Sequence, residues 1–293
     1  MTSPTSRTPG SGSPARPAKP PEVDEWVDTH IHRPLASRVV AFLLHTPITP
    51  NQVTLLSGMV GVSASVVLVL GTTRPALRLV SGVLLVLSVV LDCCDGQLAR
   101  ARGISSTYGA ILDGLADYVV GVGICLSGGY VMATLYGNPW YWLLAVFGLA
   151  STAVQSALFD HTKTRYIARV GGGYSEREED LLKLAQDRDR AWRERRLKDA
   201  FLLWIYLQYS LAQHAALAIA PSPDPAEFRR RNAGRMRVWG LLGVGTHFAL
   251  GYLLILLSHW WPGALAWYFI VSATLLNLLL IVLLLLESRQ ARP

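Results

Sequence analysis

The sequence predicts an all-α membrane protein: a bundle of six transmembrane helices around a polar cavity open to the cytoplasm. Long apolar runs recur along its 293 residues, of which 51% are hydrophobic. A run of about twenty apolar residues can cross a bilayer core of about 30 Å. Four aspartates lie at the ends of two such runs, which indicates a polar site at one face of the membrane.

The N-terminal region is predicted to lie outside the membrane. Residues 1–22 are rich in Ser, Thr, Pro and Gly, which predicts a disordered tail without a cleavable signal peptide. Residues 23–46 mix apolar side chains with arginines and histidines. This mixture predicts an amphipathic segment that lies on the cytoplasmic surface of the membrane. Pro34 is expected to kink or break a helix there.

Six membrane-spanning helices are predicted after this segment. Their approximate limits are Gln52–Gly71, Ala76–Arg100, Tyr108–Leu135, Trp140–Phe159, Val238–Trp260 and Gly263–Leu286. The first four fall in region 47–169, which carries the aspartates, and the last two in region 238–293. Several tryptophans lie near the proposed ends of the spans, as in an aromatic belt at the membrane surface.

A charged insertion, 170–237, separates the fourth and fifth spans. Within it, Phe201–Ala220 is apolar and about as long as a span. A crossing there would place five arginines between positions 229 and 237 outside the membrane, against the positive-inside rule. We therefore expect Phe201–Ala220 to lie at the membrane interface or against the bundle.

The basic residues predict the orientation of the chain. If the aspartate end is cytoplasmic, the outer loops carry only Arg74 and Arg78 of the 27 Lys and Arg residues. This asymmetry predicts an integral protein of the cytoplasmic membrane, with its polar site and both termini in the cytoplasm. The net charge of +7 is thereby explained, and no nucleic-acid partner is expected because no binding module accompanies it.

The three cysteines, Cys93, Cys94 and Cys125, lack C-x-x-C spacing. Their pattern suggests neither a disulfide framework nor a zinc site. Cys93 and Cys94 are interpreted as small side chains that fill space between the aspartates.

The four aspartates form two pairs with helical spacing. Asp92 and Asp95 are three residues apart, so they share one face of a helix. Asp113 and Asp117 are four residues apart and share a face in the same way. The apolar runs before the first pair and after the second are long enough to place both pairs at the same membrane face.

Such a cluster needs compensation. Each carboxylate at membrane depth costs roughly 2.5–3.5 kcal/mol on insertion scales, and two divalent cations would neutralise all four. Hard oxygen ligands suit Mg²⁺ or Mn²⁺. The cluster therefore predicts a metal site with two ions.

The aspartates belong to a longer pattern of fixed spacing. The sequence matches D-x2-D-G-x2-A-R-x8-G-x3-D-x3-D without a gap, at Asp92, Asp95, Gly96, Ala99, Arg100, Gly109, Asp113 and Asp117. This pattern resembles the signature of the CDP-alcohol phosphatidyltransferases. The run Thr49–Thr54, just before the first span, resembles the family's P-N-x-x-T motif. The resemblance covers about 48–169.

The resemblance implies an enzyme of phospholipid biosynthesis. Such an enzyme transfers a phospho-alcohol group from a CDP-alcohol to an acceptor hydroxyl and releases CMP. The resemblance also implies two Mg²⁺ or Mn²⁺ ions, with Asp92, Asp95 and Asp113 as ligands. It assigns Asp117 as the general base for the acceptor hydroxyl, with a share in metal binding.

The resemblance further implies residues that contact the substrates. The CDP-alcohol is expected to lie against Asn51, Thr54, Gly96, Ala99, Arg100 and Gly109. The alternative interpretation is structural: a helix cap or first turn at positions 51 and 54, close helix packing at the glycines, and a helix-end cation at position 100. Lys163 and Arg165 would bind the phosphate of a phosphorylated acceptor, or else are cytoplasmic loop charges.

The substrates themselves stay open at this point. CDP-diacylglycerol is the expected donor, and inositol phosphate, glycerol phosphate, inositol and serine are candidate acceptors. The run T-P-I-T-P-N-Q-V-T is most similar to relatives that make inositol-phosphate products. A CDP-choline or CDP-ethanolamine type of phosphotransferase and a soluble phosphodiester (di-inositol phosphate) synthase are alternatives within the family. Membrane lipids are expected partners, and assembly into a homodimer is left open.

A divalent-cation transporter is the alternative from another class of protein. Acidic clusters inside a membrane also mark ion pathways. A transporter would not need the glycine and Ala-Arg positions at fixed offsets from the aspartates, and the sequence shows no paired broken helices in related halves.

Overall fold

All regular structure in the described part of the chain is helical. The computed structural model describes residues 20–104, 107–171, 174–215 and 222–290. Its α-helices are α1 (Arg33–Leu43), α2 (Pro50–Leu70), α3 (Ala76–Ala101), α4 (Thr107–Tyr136), α5 (Trp140–Gly171), α6 (Tyr174–Arg193), α7 (Leu197–Ala215), α8 (Pro225–Trp239), α9 (Val244–Leu257), α10 (Ala264–Ala273) and α11 (Leu275–Gln290). The predicted all-α class is confirmed.

The predicted spans correspond to long apolar helices. Helices α2, α3, α4 and α5 and the stretch Ala264–Ser288, formed by α10 and α11, are each long and apolar enough to cross a membrane. Helices α8 and α9 qualify together as one broken span, with a bend of 46° between them. Counting this pair as one span gives the predicted six. The chain is therefore an integral membrane protein.

The fifth span differs from the prediction because it is broken at its polar end. The sequence predicts an unbroken helix over Val238–Trp260, but a short 3-10 turn covers Gly240–Leu242 and α9 begins only at Val244. Gly243 is in an extended conformation and serves as the N-cap of α9. The break leaves the first backbone N–H groups of α9 free to bind side chains.

Helix α2 holds the two aspartate-bearing helices in place. It packs along both α3 and α4. Gly61 of α2 lies so close to Val120 of α4 and Ser88 of α3 that a Cβ there would overlap both. At the N-terminal end of α3, far from the aspartates, the buried Arg78 donates to the carbonyls of Gly71 and Ser258, at 2.9 Å each. The close approach at Gly61 sets the distance between α3 and α4, on which the polar site depends.

The C-terminal end of α3 is tied to the chain that precedes α2. Gly103, with φ +66°, turns the backbone after α3, a conformation that glycine adopts at little cost. The Arg102 guanidinium donates to the carbonyls of Leu43, Thr46 and Ile48. This arginine fixes the loop that leads to the first turn of α2. Residues 105 and 106 lie outside the described part of the chain.

Ordered structure begins earlier than the predicted boundary at residue 23. Residues 1–19 of the predicted tail lie outside the described residues, but Pro21–Val23 forms a 3-10 turn. Glu22 is buried, and its Oε1 accepts hydrogen bonds from the Tyr166 hydroxyl and from Arg229 Nε, at 2.6 Å each. The segment is therefore anchored to α5 and α8 by a buried carboxylate that the compositional argument did not single out.

Pro34 does not break the amphipathic segment. The chain forms a π-helical turn over Asp28–His32 and continues directly into α1, with Pro34 in its first turn. The helical run is continuous from Trp26 to Leu43, so Pro34 lies inside it, just after the π-helical turn. Such single π turns occur as insertions within α-helices. The segment packs against α3 through Ala36, Val40 and Leu43.

Helix α7 contains the described part of the predicted non-spanning segment Phe201–Ala220. Residues 216–220 lie outside the described residues, and α7 is not among the described helices that qualify as spans. It forms a hairpin with α6. The hairpin packs against α4 in one apolar cluster, formed by Ile111, Leu184, Ala191, Ala200, Leu203 and Leu207. The insertion therefore contacts the helix that carries Asp113 and Asp117.

The predicted sidedness can be measured by cysteine labelling. If α7 does not cross the membrane, as predicted, single cysteines replacing Glu194, before α7, and Ala226, after it, should react with a membrane-impermeant reagent from the same side. Both replaced residues are exposed. A cysteine at Arg74, in the turn between α2 and α3, should react from the opposite side. Opposite sidedness at positions 194 and 226 would show that α7 crosses the membrane.

Candidate metal and substrate site

The predicted convergence of the aspartates is present in the structure. One carboxylate oxygen each from Asp92 and Asp95 on α3 and from Asp113 on α4 lie within 4.8 Å of one another. Asp117, one turn further along α4, lines the same cavity as Asp92 and Asp113. The spacing of three and four residues turns each pair towards the other helix, as predicted.

The carboxylates fit a divalent cation. Among the described residues, Oδ1 of Asp92 and Oδ1 of Asp113 are buried without a hydrogen-bond partner. A buried carboxylate oxygen without a donor is costly, and a hard cation such as Mg²⁺ binds atoms of this type. By contrast, Asp95 accepts a short hydrogen bond of 2.5 Å from the Thr54 hydroxyl. Thr54 therefore orients a candidate ligand from α2.

Asp92, Asp113 and Asp117 line a cavity of about 380 Å³ between the helices. Three further carboxylates line it: Glu25 and Asp28 from the N-terminal segment and Asp160 from α5. Lys163 is the basic side chain among the described lining residues. The cavity is thus strongly acidic with one positive charge, a composition suited to holding cations.

Sequence reasoning missed Glu25, Asp28 and Asp160. A signal was present for the first two, since positions 25, 28 and 32 are spaced by three and four residues and lie on one face of a helical segment. The segment was interpreted by its overall amphipathic composition instead. Asp160 carries no comparable signal, because its position depends on how α5 packs.

Glu25 fixes the start of α9 at the cavity. Its Oε2 accepts hydrogen bonds from the Thr246 backbone N–H at 2.7 Å and from the Thr246 hydroxyl at 3.0 Å, and its Oε1 accepts from Gly245 N–H at 3.3 Å. A carboxylate at a helix N-terminus is favourable. Burial, with the nearby charge of Asp28, nevertheless raises the pKa of Glu25 from 4.5 to about 7.

Glu25 should make stability depend on pH. Because the pKa of Glu25 is raised in the folded state, its contribution to the free energy of unfolding is fully present below pH 4.5. This contribution is lost as the pH rises towards about 7. The full pKa shift of Glu25 corresponds to a change of roughly 3 kcal/mol in the free energy of unfolding. Glu25→Gln should therefore flatten the fall in melting temperature over this range, measured in detergent. Glu194→Gln, at an exposed turn, is the control. An unchanged pH profile in Glu25→Gln would contradict the assignment.

The expected nucleotide-binding residues lie near the aspartates on α2, α3 and α4. The three atoms nearest to a Cβ at Gly96 would belong to the Arg100 guanidinium, the first at 3.4 Å, so this cation borders the space beside Gly96. Arg100 is exposed at the end of α3, while Ala99 and Gly109 are half-buried. Asn51 lies in the first turn of α2, behind the capping box formed by Thr49. Binding of a nucleotide by these residues stays a prediction.

The structure does not bring Lys163 and Arg165 together. Lys163 lines the acidic cavity. Arg165 lines a separate pocket of about 150 Å³ with Arg169, Arg235 and Glu287 among others. Residues two apart on a helix point about 200° apart around its axis. The predicted pairing on one phosphate is therefore not supported, and only Lys163 reaches the cavity that holds the aspartates.

Comparison with known proteins defines the class. The CDP-alcohol phosphatidyltransferase family model matches residues 47–220, more than half of the chain. The chain therefore belongs to the CDP-alcohol phosphatidyltransferase family, as its signature suggested. The match covers α2 to α5 and reaches into the insertion. Enzymes of this family use a CDP-alcohol donor, a hydroxyl acceptor and, in general, a divalent metal.

Individual relatives match over part of their length. The chain is 35% identical over 165 residues to the phosphatidylinositol phosphate synthase of Mycobacteroides abscessus, covering 52% of this chain and 65% of that protein. It is 34% identical over 152 residues to a bifunctional IPC transferase and DIPP synthase of Rubrobacter xylanophilus, covering 50% of this chain and 31% of that protein.

An archaeal protein gives a third match. The archaetidylinositol phosphate synthase of Pyrococcus horikoshii is 33% identical over 102 residues, covering 33% of this chain and 51% of that protein. The matched region thus spans less than two thirds of each of these relatives. None of these names bears on a homodimer, which stays a prediction.

Proposed function

We propose that this protein transfers a phosphatidyl group from CDP-diacylglycerol to the hydroxyl of a phosphorylated polyol, with inositol phosphate as the leading candidate, and releases CMP. The observation that carries the proposal is the acidic cluster: three carboxylates within 4.8 Å, inside the family signature, with two buried oxygens that lack partners among the described residues. Two of the relatives described above are named phosphatidylinositol phosphate synthase and archaetidylinositol phosphate synthase, which favours this acceptor over serine or free inositol.

Asp92, Asp95 and Asp113 would hold two divalent ions, Mg²⁺ or Mn²⁺, with Asp117 as a further ligand. Bound there, the ions would polarise the diphosphate and stabilise negative charge on the oxygen that leaves with CMP. The protein's own part is to fix the carboxylates. Thr54 holds Asp95, and α2 sets the separation of α3 and α4. Such positioning of ligands and reactants supplies much of the catalysis in phosphoryl transfer.

Asp117 would orient the acceptor hydroxyl and accept its proton. It lies one turn beyond Asp113 and lines the same cavity, so it would reach the hydroxyl of an acceptor bound in that cavity. The hydroxyl oxygen attacks the phosphorus that bears the diacylglycerol. The bond from this phosphorus to the bridging oxygen breaks, and CMP leaves with that oxygen. The proton passes from Asp117 to water.

The two substrates would approach from different sides of the aspartates. Arg100, with Gly96 beside it, would bind the diphosphate and the nucleotide at the end of α3, where a guanidinium matches phosphate geometry. Lys163, from α5, would bind the phosphate of the acceptor. The distribution of basic residues supports a cytoplasmic location for this site, where soluble nucleotides and sugar phosphates are available.

A substrate panel with purified protein tests the proposal. CDP-diacylglycerol, CDP-choline and CDP-inositol would each be offered with inositol phosphate, glycerol phosphate, inositol, serine and diacylglycerol, and CMP and product masses measured. The highest turnover is expected with CDP-diacylglycerol and inositol phosphate. Turnover confined to CDP-choline and diacylglycerol, or to CDP-inositol, would establish one of the other family reactions. Divalent-cation flux in liposomes without any CMP release would establish a transporter.

A further inference from the structure

A second group of potential metal ligands lies beside the acidic cluster. Asp28 and His32 come from the N-terminal segment and Cys93 from α3, and one donor atom from each lies within 4.8 Å of the others. His32 is 1% exposed, and its Nδ1 lies 2.8 Å from Asp28 Oδ1. Asp28 and Cys93 both line the acidic cavity. This group shares no residue with the aspartate cluster.

We propose that Asp28, His32 and Cys93 form a separate site for Zn²⁺. A thiolate, an imidazole and a carboxylate are the three kinds of side chain that bind zinc, whereas an oxygen-only cluster suits Mg²⁺ or Mn²⁺. Three protein ligands leave a fourth tetrahedral position for water or another group. Two of the three ligands, Asp28 and Cys93, line the cavity, so the group in the fourth position would come from the cavity.

The charges and protons balance on binding. The Asp28 carboxylate and the Cys93 thiolate together neutralise the 2+ charge of zinc. The Cys93 thiol loses its proton to water, as ligand thiols do when a metal binds. Neutral His32 binds through Nδ1, and its ring proton then resides on Nε2. No oxidant or further reactant is required.

Tyr252 of α9 holds the imidazole from the opposite side. His32 Nε2 lies 3.3 Å from the buried Tyr252 hydroxyl, and the two rings meet edge to face with centroids 6.0 Å apart. Histidines that bind metals characteristically use the second ring nitrogen for such a hydrogen bond, which fixes the tautomer and the ring orientation. The Nδ1 edge of His32 is thereby kept towards Asp28 and Cys93.

Zinc at this position would join the N-terminal segment to α3. The segment carries Glu25, which caps α9, and Asp28, which lines the cavity, while Cys93 directly follows Asp92 in α3. The metal would therefore fasten one wall of the cavity next to the proposed catalytic metals without taking part in the transfer reaction.

Cobalt serves as the probe for this site. Co²⁺ would be added to purified, reduced protein in excess Mg²⁺, and absorption would be followed in the near ultraviolet, where a thiolate bound to Co²⁺ gives a charge-transfer band. The aspartate cluster contains no sulfur and cannot give this band. The band is expected in the wild type and in Cys94→Ser, and should be lost in Cys93→Ser.

Cys94 is the matched control because it is adjacent in sequence, is buried and donates to the Ala36 carbonyl at 3.6 Å instead of facing this group. Zinc content gives an independent reading: about one zinc per chain in the wild type, as for one such site, and little in His32→Gln. No band in the wild type, or equal bands in Cys93→Ser and Cys94→Ser, would overturn the proposal. If Cys93→Ser fails to fold, His32→Gln and Asp28→Asn replace it in the comparison.

The proposed zinc site can be tested apart from the proposed transferase activity. Asp113→Asn, which should be inactive, is expected to keep both the cobalt band and the bound zinc. A band that disappears in Asp113→Asn would place the cobalt in the aspartate cluster and contradict a separate site.

Discussion

Replacing Asp92 or Asp113 with Asn is expected to abolish CMP release, with turnover reduced by at least about 10²-fold. Even groups that only hydrogen-bond to metal ligands commonly contribute 10–100-fold to metal affinity or activity, and a ligand should contribute more. Asparagine preserves the size of the side chain but removes the charge that holds the cation. The effect should be large because the Oδ1 atoms of both residues are buried and lack partners among the described residues.

The matching control is Asp187→Asn. Asp187 lies on α6 of the insertion. Among the ion pairs of the described residues, its one partner is the exposed Arg190, at 3.8 Å. Its turnover should equal that of the wild type, measured as CMP release at saturating Mg²⁺. Activity of Asp92→Asn within a few-fold of the control would remove the aspartate cluster from the mechanism.

Lys163→Met should raise the KM for a phosphorylated acceptor about tenfold or more and leave the KM for the CDP-alcohol nearly unchanged. A charge-assisted hydrogen bond is worth roughly 1.5–3 kcal/mol, and about 1.4 kcal/mol corresponds to tenfold in affinity. Lys163 Nζ lies 5.3 Å from the centroid of the Phe159 ring, a cation–π contact. Methionine has an unbranched apolar side chain of similar length but carries no charge. The loss is thus confined to the charge.

Arg165→Met provides the comparison for Lys163→Met. Because Arg165 lines the separate basic pocket, its replacement should change the acceptor KM much less. Equal increases in the two variants would show that the acceptor phosphate reaches the basic pocket. Equal effects of Lys163→Met on both substrates would contradict a role in acceptor binding.

The helical architecture was predictable from the sequence because membrane spans are encoded locally. Apolar runs of the required length specify each helix, and the absence of water in the bilayer favours helices. The convergence of Asp92 and Asp113 was predictable as well. Both lie at the same depth on helices joined by a short turn, so their positions along the chain nearly determine their positions in space.

Features that depend on contacts between distant segments could not be predicted in the same way. The break before α9 depends on Glu25, more than two hundred residues earlier, which binds the N–H groups of Gly245 and Thr246. The burial of Glu22 likewise depends on Tyr166 and Arg229. The separation of Lys163 from Arg165, by contrast, could have been predicted from the sequence, since residues two apart on a helix point in nearly opposite directions.

The products formed from CDP-diacylglycerol and inositol phosphate test the central claim most directly. Mass spectrometry of the reaction with excess Mg²⁺ should find phosphatidylinositol phosphate and CMP in equal amounts, and excess chelator should remove both. Phosphatidate with cytidylyl-inositol phosphate would show attack at the other phosphorus. Those products, or undiminished product in excess chelator, would contradict metal-dependent transfer at the phosphorus that bears the lipid.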